Sequence, residues 1–317
     1  MHAMRNSATQ PALGSRSRPA APAAGAPRAR HAAAASGGAG AAAEPHIKII
    51  ASDVDGTLVN SKQQLTRGVE DAVQRAHAAG VPLIVATGKA RGPWVPKVLP
   101  RLGPPMPGVF LQGLLICDAE GRTLYSRCLE EDVLLTCIRM AREARVTLTA
   151  YTDDRIMADG LDQHTDRLLF YQEPAPEAVG DLETVVGRRS IQKMIFMAPQ
   201  ERIDELRPGV EAALAGRATL TTALSGMLEV LPLGASKGQG VEWLLAHMGH
   251  DPRHLMAMGD GENDIEMLQL AALGVAMANA GPRLKAVADV VVASNDDDGV
   301  AAAIEAHVLA PRRAAAL

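Results

Sequence analysis

The chain of 317 residues is 47% hydrophobic, which suffices for one or two globular domains with sizeable cores. Its 32 Lys and Arg residues against 36 Asp and Glu residues give a net charge of −4, an acidic balance that argues against a nucleic-acid partner, because binding to a phosphate backbone requires clustered Lys and Arg. No run of about eighteen uncharged apolar residues occurs, so we expect no membrane-spanning segment and no membrane partner, which argues against a membrane ATPase.

Residues 1–43 differ in composition from the rest of the chain. Ala, Pro, Gly and Ser dominate them, and they contain five arginines but no Asp or Glu. Such a segment buries no core and is typical of an organelle transit peptide, which predicts a chloroplast location, with the mitochondrion or the cytoplasm as alternatives. A low-complexity extension from a GC-rich genome is the other interpretation. Without this segment, 27 basic residues face 36 acidic ones, a net charge of −9.

Two carboxylates follow the first predicted strand, residues 47–51. Asp53 and Asp55 are two positions apart on extended backbone and therefore point to one side. Two like charges so close together repel each other, which is unfavourable in the folded protein unless a bound cation or a reaction requires them. Gly56 and Thr57 follow at a turn whose backbone amides can face an anion. The arrangement suits a metal-bound, nucleophilic carboxylate that attacks phosphorus, and the alternative is an acidic turn after a strand.

An amphipathic helix at residues 66–79 and an apolar strand at residues 81–86 come next. The strand runs into Thr87-Gly88-Lys89, and a Thr with free backbone amides at a strand end can hold phosphate oxygens. A further strand, residues 108–111, leads to Gln112-Gly113, where the pattern of the chain changes.

Residues 114–227 no longer alternate regularly between strand and helix and instead predict an α+β layer large enough for its own core. The predicted elements are a hairpin of residues 114–118 and 122–126, a helix at 130–145, a strand at 146–151, a helix at 161–172, a strand at 191–197, a helix at 200–215 and a strand at 219–224. As a cap, this layer would close over a site, exclude water and select the substrate. Candidate substrate contacts, which could equally be a solvated Asp-rich turn and a solvent-facing lysine, are Tyr151, Asp153, Asp154, Arg155 and Lys193.

Ser236 and Lys237 open a predicted helix that runs to about Met248. A helix N-terminus carries a positive field, and Lys237 is a candidate point charge for a transferred phosphoryl group. The alternative is a surface lysine, the more common role of a lone Lys at the start of a helix.

The last motif follows a strand at residues 254–258. Gly259-Asp-Gly-Glu-Asn-Asp264 puts Asp260 and Asp264 on either side of a turn into a helix at residues 264–272. A third carboxylate would thus meet the first two across adjacent parallel strands, and such oxygen ligands suit Mg²⁺. An N-capping cluster is the alternative. The predicted metal-site residues are Asp53, Asp55, Asp260 and Asp264.

Strands at residues 273–277 and 290–293 complete an alternation of strands and helices. This pattern predicts an α/β fold, in which a parallel sheet carries helices on both faces. The ligand site of such a sheet lies at the carboxyl ends of its strands, and all the motifs fall there.

Asp53-Val-Asp-Gly-Thr57, Thr87-Gly88, Lys237 and Gly259-Asp-Gly-Glu-Asn-Asp264 resemble, in this order, the four motifs of the haloacid dehalogenase (HAD) superfamily. The long interval between the second and third motifs resembles the Cof-type branch, subfamily IIB, in which a cap domain is inserted there. The resemblance implies a HAD-like Rossmannoid three-layer core and an inserted α+β cap domain. Its predicted boundaries are residues 44–113 and 228–310 for the core, 114–227 for the cap and 311–317 for a tail.

The resemblance also implies a Mg²⁺-dependent phosphatase that acts on a small phosphorylated metabolite through an aspartyl-phosphate intermediate. Sugar phosphates, flavin or nucleotide-like phosphates and vitamin-pathway phosphates are the expected substrate classes. Asp53 resembles the nucleophile, and Asp55 resembles the acid and base that protonates the leaving alkoxide and then activates water. The residues that resemble the phosphate-binding set are Gly56, Thr57, Thr87, Gly88, Lys237 and Asn263.

Two positions depart from the family pattern. Lys89 stands where Arg is usual in this branch, and Gln112-Gly113 stands where Asn-Gly is common. Arg and Lys are not equivalent where an anion is bound in a bidentate manner, so we expect these changes to affect the choice of substrate. A phosphomutase of the same fold and a non-catalytic binding or regulatory module are the alternative functions, and the sequence does not indicate the oligomeric state.

Overall fold

A computed structural model describes residues 46–222 and 224–315. The predicted leader, residues 1–43, lies outside the described residues, and so does the transit-peptide prediction that rests on it. None of the helices within the described ranges is long and apolar enough to cross a membrane.

The secondary structure follows the predicted order closely. The described strands are β1 (Ile49–Ser52), β2 (Leu83–Val85), β3 (Gly108–Phe110), β4 (Leu115–Cys117), β5 (Thr123–Ser126), β6 (Thr147–Thr152), β7 (Arg155–Ala158), β8 (Pro176–Ala178), β9 (Lys193–Met197), β10 (Ala218–Thr221), β11 (Met227–Pro232), β12 (Leu255–Gly259), β13 (Leu273–Ala276) and β14 (Val290–Val291). The described α-helices are α1 (Arg67–Ala78), α2 (Val95–Val98), α3 (Glu131–Ala144), α4 (Gln163–Phe170), α5 (Gln200–Leu214), α6 (Lys237–Met248), α7 (Ile265–Leu270), α8 (Pro282–Lys285), α9 (Gly299–Ile304) and α10 (Ala310–Ala315), with a π-helical turn at Glu305–Leu309 before the last.

Five strands form a parallel sheet in the order β14-β13-β12-β1-β2. Residues of β1 are buried on both faces, because successive side chains of a strand point to opposite sides. Ile49 and Ala51 pack in one apolar cluster with residues of α6 and α7, and Ile50 packs in another with residues of α1 and α9. The predicted three-layer α/β arrangement is therefore confirmed.

The strand at β3 departs from the predicted parallel sheet. Its Val109 forms an isolated parallel bridge with Ala86, the residue after β2, whereas β3 pairs antiparallel with β4, which pairs antiparallel with β5. The predicted hairpin thus forms, but it extends β3 and does not pair with the other strands of the predicted cap.

A second large sheet has the order β10-β11-β9-β6-β7-β8 and is antiparallel except for the pair β7 and β8. Residues of α3 and α5 pack with one of its faces in a separate apolar cluster. Side chains of its other face, among them Ile195 and Leu231, share an apolar cluster with residues of the parallel sheet. That second face therefore lies against the rest of the protein.

Three strands of this sheet were not predicted, namely β7, β8 and β11, and β10 ends at Thr221, short of the predicted residue 224. Sheet membership also differs from the predicted cap boundaries, since β4 and β5 pair with β3 whereas β11 belongs to the six-stranded sheet. We therefore propose that the cap comprises the elements from α3 to β11.

Candidate active site

The candidate site lies at the carboxyl ends of neighbouring parallel strands. Asp53 directly follows β1, Asp260 directly follows β12 and Thr87 lies two residues beyond β2. The backbone N–H of Asp53 donates to the carbonyl of Met258 at 3.0 Å, which continues the pairing of β1 with β12 past the last strand residue. The sheet therefore brings together motifs that are more than two hundred residues apart in the chain.

Three carboxylates form a cluster at this edge. Asp53, Asp260 and Asp264 each offer an oxygen within 4.8 Å of the others, a group that could hold a metal ion. Burial, opposed by Lys237 and reinforced by the charges of Asp264 and Asp260, raises the pKa of the Asp53 carboxyl well above its usual range. Burial and the charge of Asp264 also raise the pKa of Asp260 to about 7. A bound cation would relieve this repulsion, so the donor set fits a hard, oxygen-preferring metal.

Lys237 links two of these carboxylates. The hydroxyl of Ser236 accepts a hydrogen bond from the backbone of Gln239 at 3.2 Å and caps α6, so Lys237 is the first residue of the helix. Its buried ammonium donates to Asp53 Oδ1 at 2.8 Å and to Asp264 Oδ1 at 2.6 Å. Although burial opposes it, the charges of Asp264 and Asp53 raise the pKa of Lys237 above its ordinary value. The alternative of a surface lysine is wrong.

Asp264 has a second contact through its other oxygen. Oδ2 accepts hydrogen bonds from the backbone N–H groups of Asp260 and Gly261, each at 3.0 Å. One oxygen therefore stabilises the turn after β12 while the other faces Lys237. The capping interpretation is therefore confirmed for this residue, and the capping contact fixes the orientation of the carboxylate; its role in a metal site stays a prediction.

Gly56 and Thr57, which were predicted to bind phosphate, lie against Asp260. The hydroxyl of Thr57 donates to Asp260 Oδ1 at 3.0 Å. Gly56 has a φ of +73°, and a Cβ built there would lie 2.3 Å from Asp260 Oδ2, so only glycine fits this position. Asn279, which the sequence analysis did not single out, donates to the Gly56 carbonyl at 2.8 Å and to Asp260 Oδ2 at 3.2 Å. Its position three residues after β13, at the same edge of the sheet, could have identified it as a candidate site residue from the sequence.

Asp55 is the one predicted metal-site carboxylate that the structure does not bring into the cluster. Its Oδ1 accepts a hydrogen bond from the Lys89 ammonium at 3.0 Å. The buried Lys89 also donates to the carbonyl of Tyr171 and to Gln63 Oε1, the latter at 3.4 Å. Lys89 therefore pairs with the predicted acid and base, whose negative charge still contributes to the raised pKa of Asp260.

The remaining predicted phosphate-binding residues join a polar network. Thr87 accepts a hydrogen bond at its hydroxyl from the backbone of Lys89 at 3.1 Å, and the carbonyl of Gly88 accepts one from Lys193 Nζ at 2.8 Å. Asn263 Nδ2 donates to Gln112 Oε1 at 3.0 Å. Gln112, which stands where Asn is common in the family, thus contacts a predicted site residue directly.

The other predicted substrate contacts have different surroundings. Asp153 accepts a hydrogen bond from Gln192 Nε2 at 2.9 Å, and Asp154 is exposed. Arg155 donates to Glu177 at 2.8 Å. These three residues match the alternative of a polar turn with its own hydrogen bonds, whereas the predicted contacts Tyr151 and Lys193 are buried.

Glu173 is a buried carboxyl that the sequence analysis missed. It accepts a hydrogen bond from the backbone N–H of Ala90 at 3.0 Å, in the loop that follows β2. Burial, opposed by the charges of Lys193 and Lys89, raises its pKa from 4.5 to about 8. Between these two pH values the folded protein keeps a proton that the unfolded chain has lost, so this group makes the protein less stable as pH rises.

Replacing Glu173 by Gln should remove that pH dependence, because Gln keeps an acceptor for Ala90 and has no proton to lose. We expect equal stability of variant and parent near pH 5 and a gain of about 2–4 kcal/mol for the variant near pH 8. Urea unfolding at both pH values measures the difference. A difference that does not change with pH would show that Glu173 is ionised in the folded protein.

Comparison with known proteins identifies the family to which the chain belongs. The profile of the haloacid dehalogenase-like hydrolases matches residues 50–304. The chain belongs to this family. Among solved structures, a haloacid dehalogenase-like hydrolase from Bacteroides thetaiotaomicron shares 27% identity and superposes with a TM-score of 0.73 over 82% of this HAD chain and 98% of that one. The predicted superfamily, its Cof-type branch and the HAD-like core are thus confirmed.

Relatives of this HAD chain carry different names. A protein of Streptococcus pyogenes serotype M6 that is named as a phosphatase is 30% identical over 276 residues, which make up 83% of this chain and 99% of that protein. An Arabidopsis thaliana protein named endoribonuclease YBEY, chloroplastic, is 40% identical over 272 residues, which make up 82% of this chain but 46% of that protein. This HAD chain therefore spans less than half the length of the Arabidopsis relative.

Proposed function

We propose that this protein is a phosphatase that hydrolyses small phosphomonoesters, with Asp53 as nucleophile and with Mg²⁺ held by Asp53, Asp260 and Asp264. The observation that carries the proposal is the cluster of these three carboxylates at the carboxyl ends of β1 and β12, in which Asp53 and Asp264 pair with the buried Lys237. Repulsion among the carboxylates is unfavourable by itself. A bound cation would relieve this repulsion, and the site would then stabilise the charge of a phosphoryl group.

Hydrolysis would run as two displacements at phosphorus. In the first, a carboxylate oxygen of Asp53 forms a bond to phosphorus while the bond to the leaving alkoxide breaks. In the second, a water oxygen forms the new bond and the bond to Asp53 breaks. Charge spreads over the phosphoryl oxygens in both transition states, and the Lys237 ammonium, 2.8 Å from Asp53 Oδ1, lies where it balances that charge. When bound, Mg²⁺ would supply further electrostatic stabilisation.

Asp55 would move the protons. An alkoxide is a poor leaving group and needs a proton, which Asp55 donates in the first step; the resulting carboxylate accepts a proton from water in the second. The Lys89 ammonium at 3.0 Å orients this carboxyl. A departing halide would need no proton, so an acid at this position favours phosphate-ester hydrolysis over dehalogenation.

Two of the relatives are named as phosphatases, which agrees with this proposal, whereas the Arabidopsis relative is named as an endoribonuclease. The matches to the Arabidopsis protein and to the streptococcal phosphatase-named protein cover 82% and 83% of this chain, and the second covers 99% of the streptococcal protein. An HMP-PP phosphatase of Yersinia pseudotuberculosis is 28% identical over 249 residues, 75% of this chain and 86% of that protein. The part shared with the Arabidopsis protein is therefore the HAD part, which supports a phosphatase and gives no ground for an endoribonuclease.

Phosphate release by the purified full chain across a panel of sugar, flavin, nucleotide and vitamin-pathway phosphomonoesters tests the function. We expect release with Mg²⁺ and its loss on addition of EDTA, because the carboxylate cluster needs the cation. A folded protein that releases phosphate from no compound would contradict the proposal. Turnover that requires a bisphosphate activator would instead establish the phosphomutase alternative.

We propose a chloroplast location as well. Two observations support it: the Arg-rich, acid-free composition of residues 1–43 and the chloroplastic name of the Arabidopsis relative. A fluorescent fusion of the full chain should enter plastids, and a fusion that stays in the cytoplasm would contradict this location.

A further inference from the structure

Three polar side chains lie on the face of the six-stranded sheet that is turned towards the parallel sheet. Tyr151 of β6 is directly opposite Lys193 of β9. Glu229 of β11 is opposite Ile195, two residues further along β9. Because the side-chain period of a strand is two residues, Lys193 and Ile195 share a face, and Tyr151 and Glu229 share it with them. Buried ionisable groups on a face that is mostly apolar need hydrogen-bond or charge partners.

Lys193 and Glu229 form a buried ion pair. Lys193 Nζ donates to Glu229 Oε2 at 3.0 Å, and the two side chains are 2% and 5% exposed. The ammonium also lies 4.6 Å from the centre of the Tyr151 ring. The Tyr151 hydroxyl is buried and has no hydrogen-bond partner among the described residues, so its capacity to donate and accept is unused.

This cluster touches the loops of the candidate active site. Lys193 donates to the Gly88 carbonyl at 2.8 Å, directly after Thr87. Glu229 Oε2 accepts from Gln112 Nε2 at 3.2 Å, and Gln112 in turn accepts from Asn263. A phosphoryl group attacked by Asp53 would lie between these loops, with its leaving group directed away from β1. The leaving group would therefore meet Tyr151, Lys193 and Glu229.

The charges around this position are balanced by ion pairs. Lys89 pairs with Asp55, Lys193 pairs with Glu229, and Lys237 pairs with Asp53 and Asp264. A second negative charge on the substrate could pair with Lys193 only by breaking the ion pair of Lys193 with Glu229, and it would then lie beside the Glu229 carboxylate. In a buried setting, such like-charge contact is strongly unfavourable. Hydroxyl groups, in contrast, can exchange hydrogen bonds with Glu229 and the Tyr151 hydroxyl.

We propose that Glu229 is a specificity-determining residue which, through its pair with Lys193, excludes substrates with a second negative charge and restricts the leaving group to an uncharged, hydroxyl-bearing one. The inference rests on the proposed phosphatase function. It also disfavours the phosphomutase alternative, since a bisphosphate intermediate would place its second phosphate against Glu229.

Steady-state kinetics with the full chain and Mg²⁺ test this role on matched substrates. Glycerol 3-phosphate and 3-phosphoglycerate differ by one carboxylate on the leaving group, and fructose 6-phosphate and fructose 1,6-bisphosphate differ by one phosphate. We expect the parent to favour the neutral leaving group of each pair by about tenfold or more in kcat/KM. In Glu229→Gln the preference should fall by about tenfold or reverse, mainly through a lower KM for the anionic compound, because Lys193 is released to bind it.

Two further variants separate this role from a structural one. Lys193→Met leaves Glu229 without its cation and should strengthen the discrimination against anionic compounds. Glu211→Gln removes an exposed carboxylate of α5, paired with Arg207 at 2.7 Å, and should leave the preference unchanged. An equal fall of kcat/KM on both compounds in Glu229→Gln would overturn the proposal, because a merely structural carboxylate would act in that way.

The outcome also distinguishes this inference from the function on which it rests. A parent enzyme that releases phosphate from neutral and anionic compounds with equal kcat/KM would refute the role of Glu229 and leave the phosphatase proposal intact. A folded parent that releases no phosphate from these substrates or from acetyl phosphate would remove both.

Discussion

Asp53→Asn should lower kcat by about 10⁴-fold or more, because an amide cannot attack phosphorus and the remaining groups do not compensate for a lost nucleophile. The variant should remain folded. Asn has the shape of Asp, Lys237 keeps its contact with Asp264 at 2.6 Å, and the exchange removes a carboxylate whose pKa burial raises. Phosphate release measures the first effect, and thermal unfolding followed by circular dichroism measures the second.

Asp251→Asn is the matched control for this exchange. Asp251 lies in the turn before β12 and pairs with Arg253 at the surface, at 2.7 Å. We expect this variant to release phosphate at the parent rate. Parent-like turnover by Asp53→Asn, in contrast, would exclude the covalent mechanism and leave Asp53 at most as a metal ligand.

Lys237→Met should destabilise the protein by about 3–5 kcal/mol and abolish turnover, because it leaves two buried carboxylates without their cation. The ammonium is fully buried and contacts both Asp53 and Asp264. Methionine fills a similar volume, so the loss reports on charge and not on packing. Urea unfolding monitors the change, and added Mg²⁺ should restore part of the lost stability by binding the same carboxylates.

Lys62→Met is the control for the loss of a positive charge at the surface. Lys62 is exposed in the turn before α1, so its exchange should change stability by no more than about 0.5 kcal/mol. An unfolding midpoint of Lys237→Met equal to that of this control would mean that the carboxylates are protonated or solvated in the folded protein, and the proposed cation site would be wrong.

The parallel sheet was predictable because its strands are short apolar runs buried on both faces, a pattern that local sequence displays. The position of the motifs followed from the rule that ligands bind at the carboxyl ends of such strands. The three-carboxylate cluster of Asp53, Asp260 and Asp264 could be inferred in the same way, since each residue comes at or soon after a strand end.

The six-stranded sheet was less predictable because its charges are compensated by distant partners. Glu229 interrupts the apolar pattern of β11, and its cation, Lys193, lies 36 residues earlier in the chain. Similarly, Asp55 pairs with Lys89, whose ammonium also donates to the carbonyl of Tyr171, 82 residues further along the chain. Contacts of this kind arise only when the chain is folded, and no local periodicity reveals them.

The pairing of β1 with β12 has a consequence for the order of events during synthesis. Ile49 pairs with Leu255, so β1 lacks one of its two neighbouring strands until β12, about two hundred residues later, has been made. The elements from α3 to β11 emerge earlier and have their own apolar cluster. A nascent or truncated chain that ends before Asp260 therefore carries the proposed nucleophile without Asp260 and Asp264, its two partners in the proposed metal site, and the proposed chemistry has to wait until both have been made.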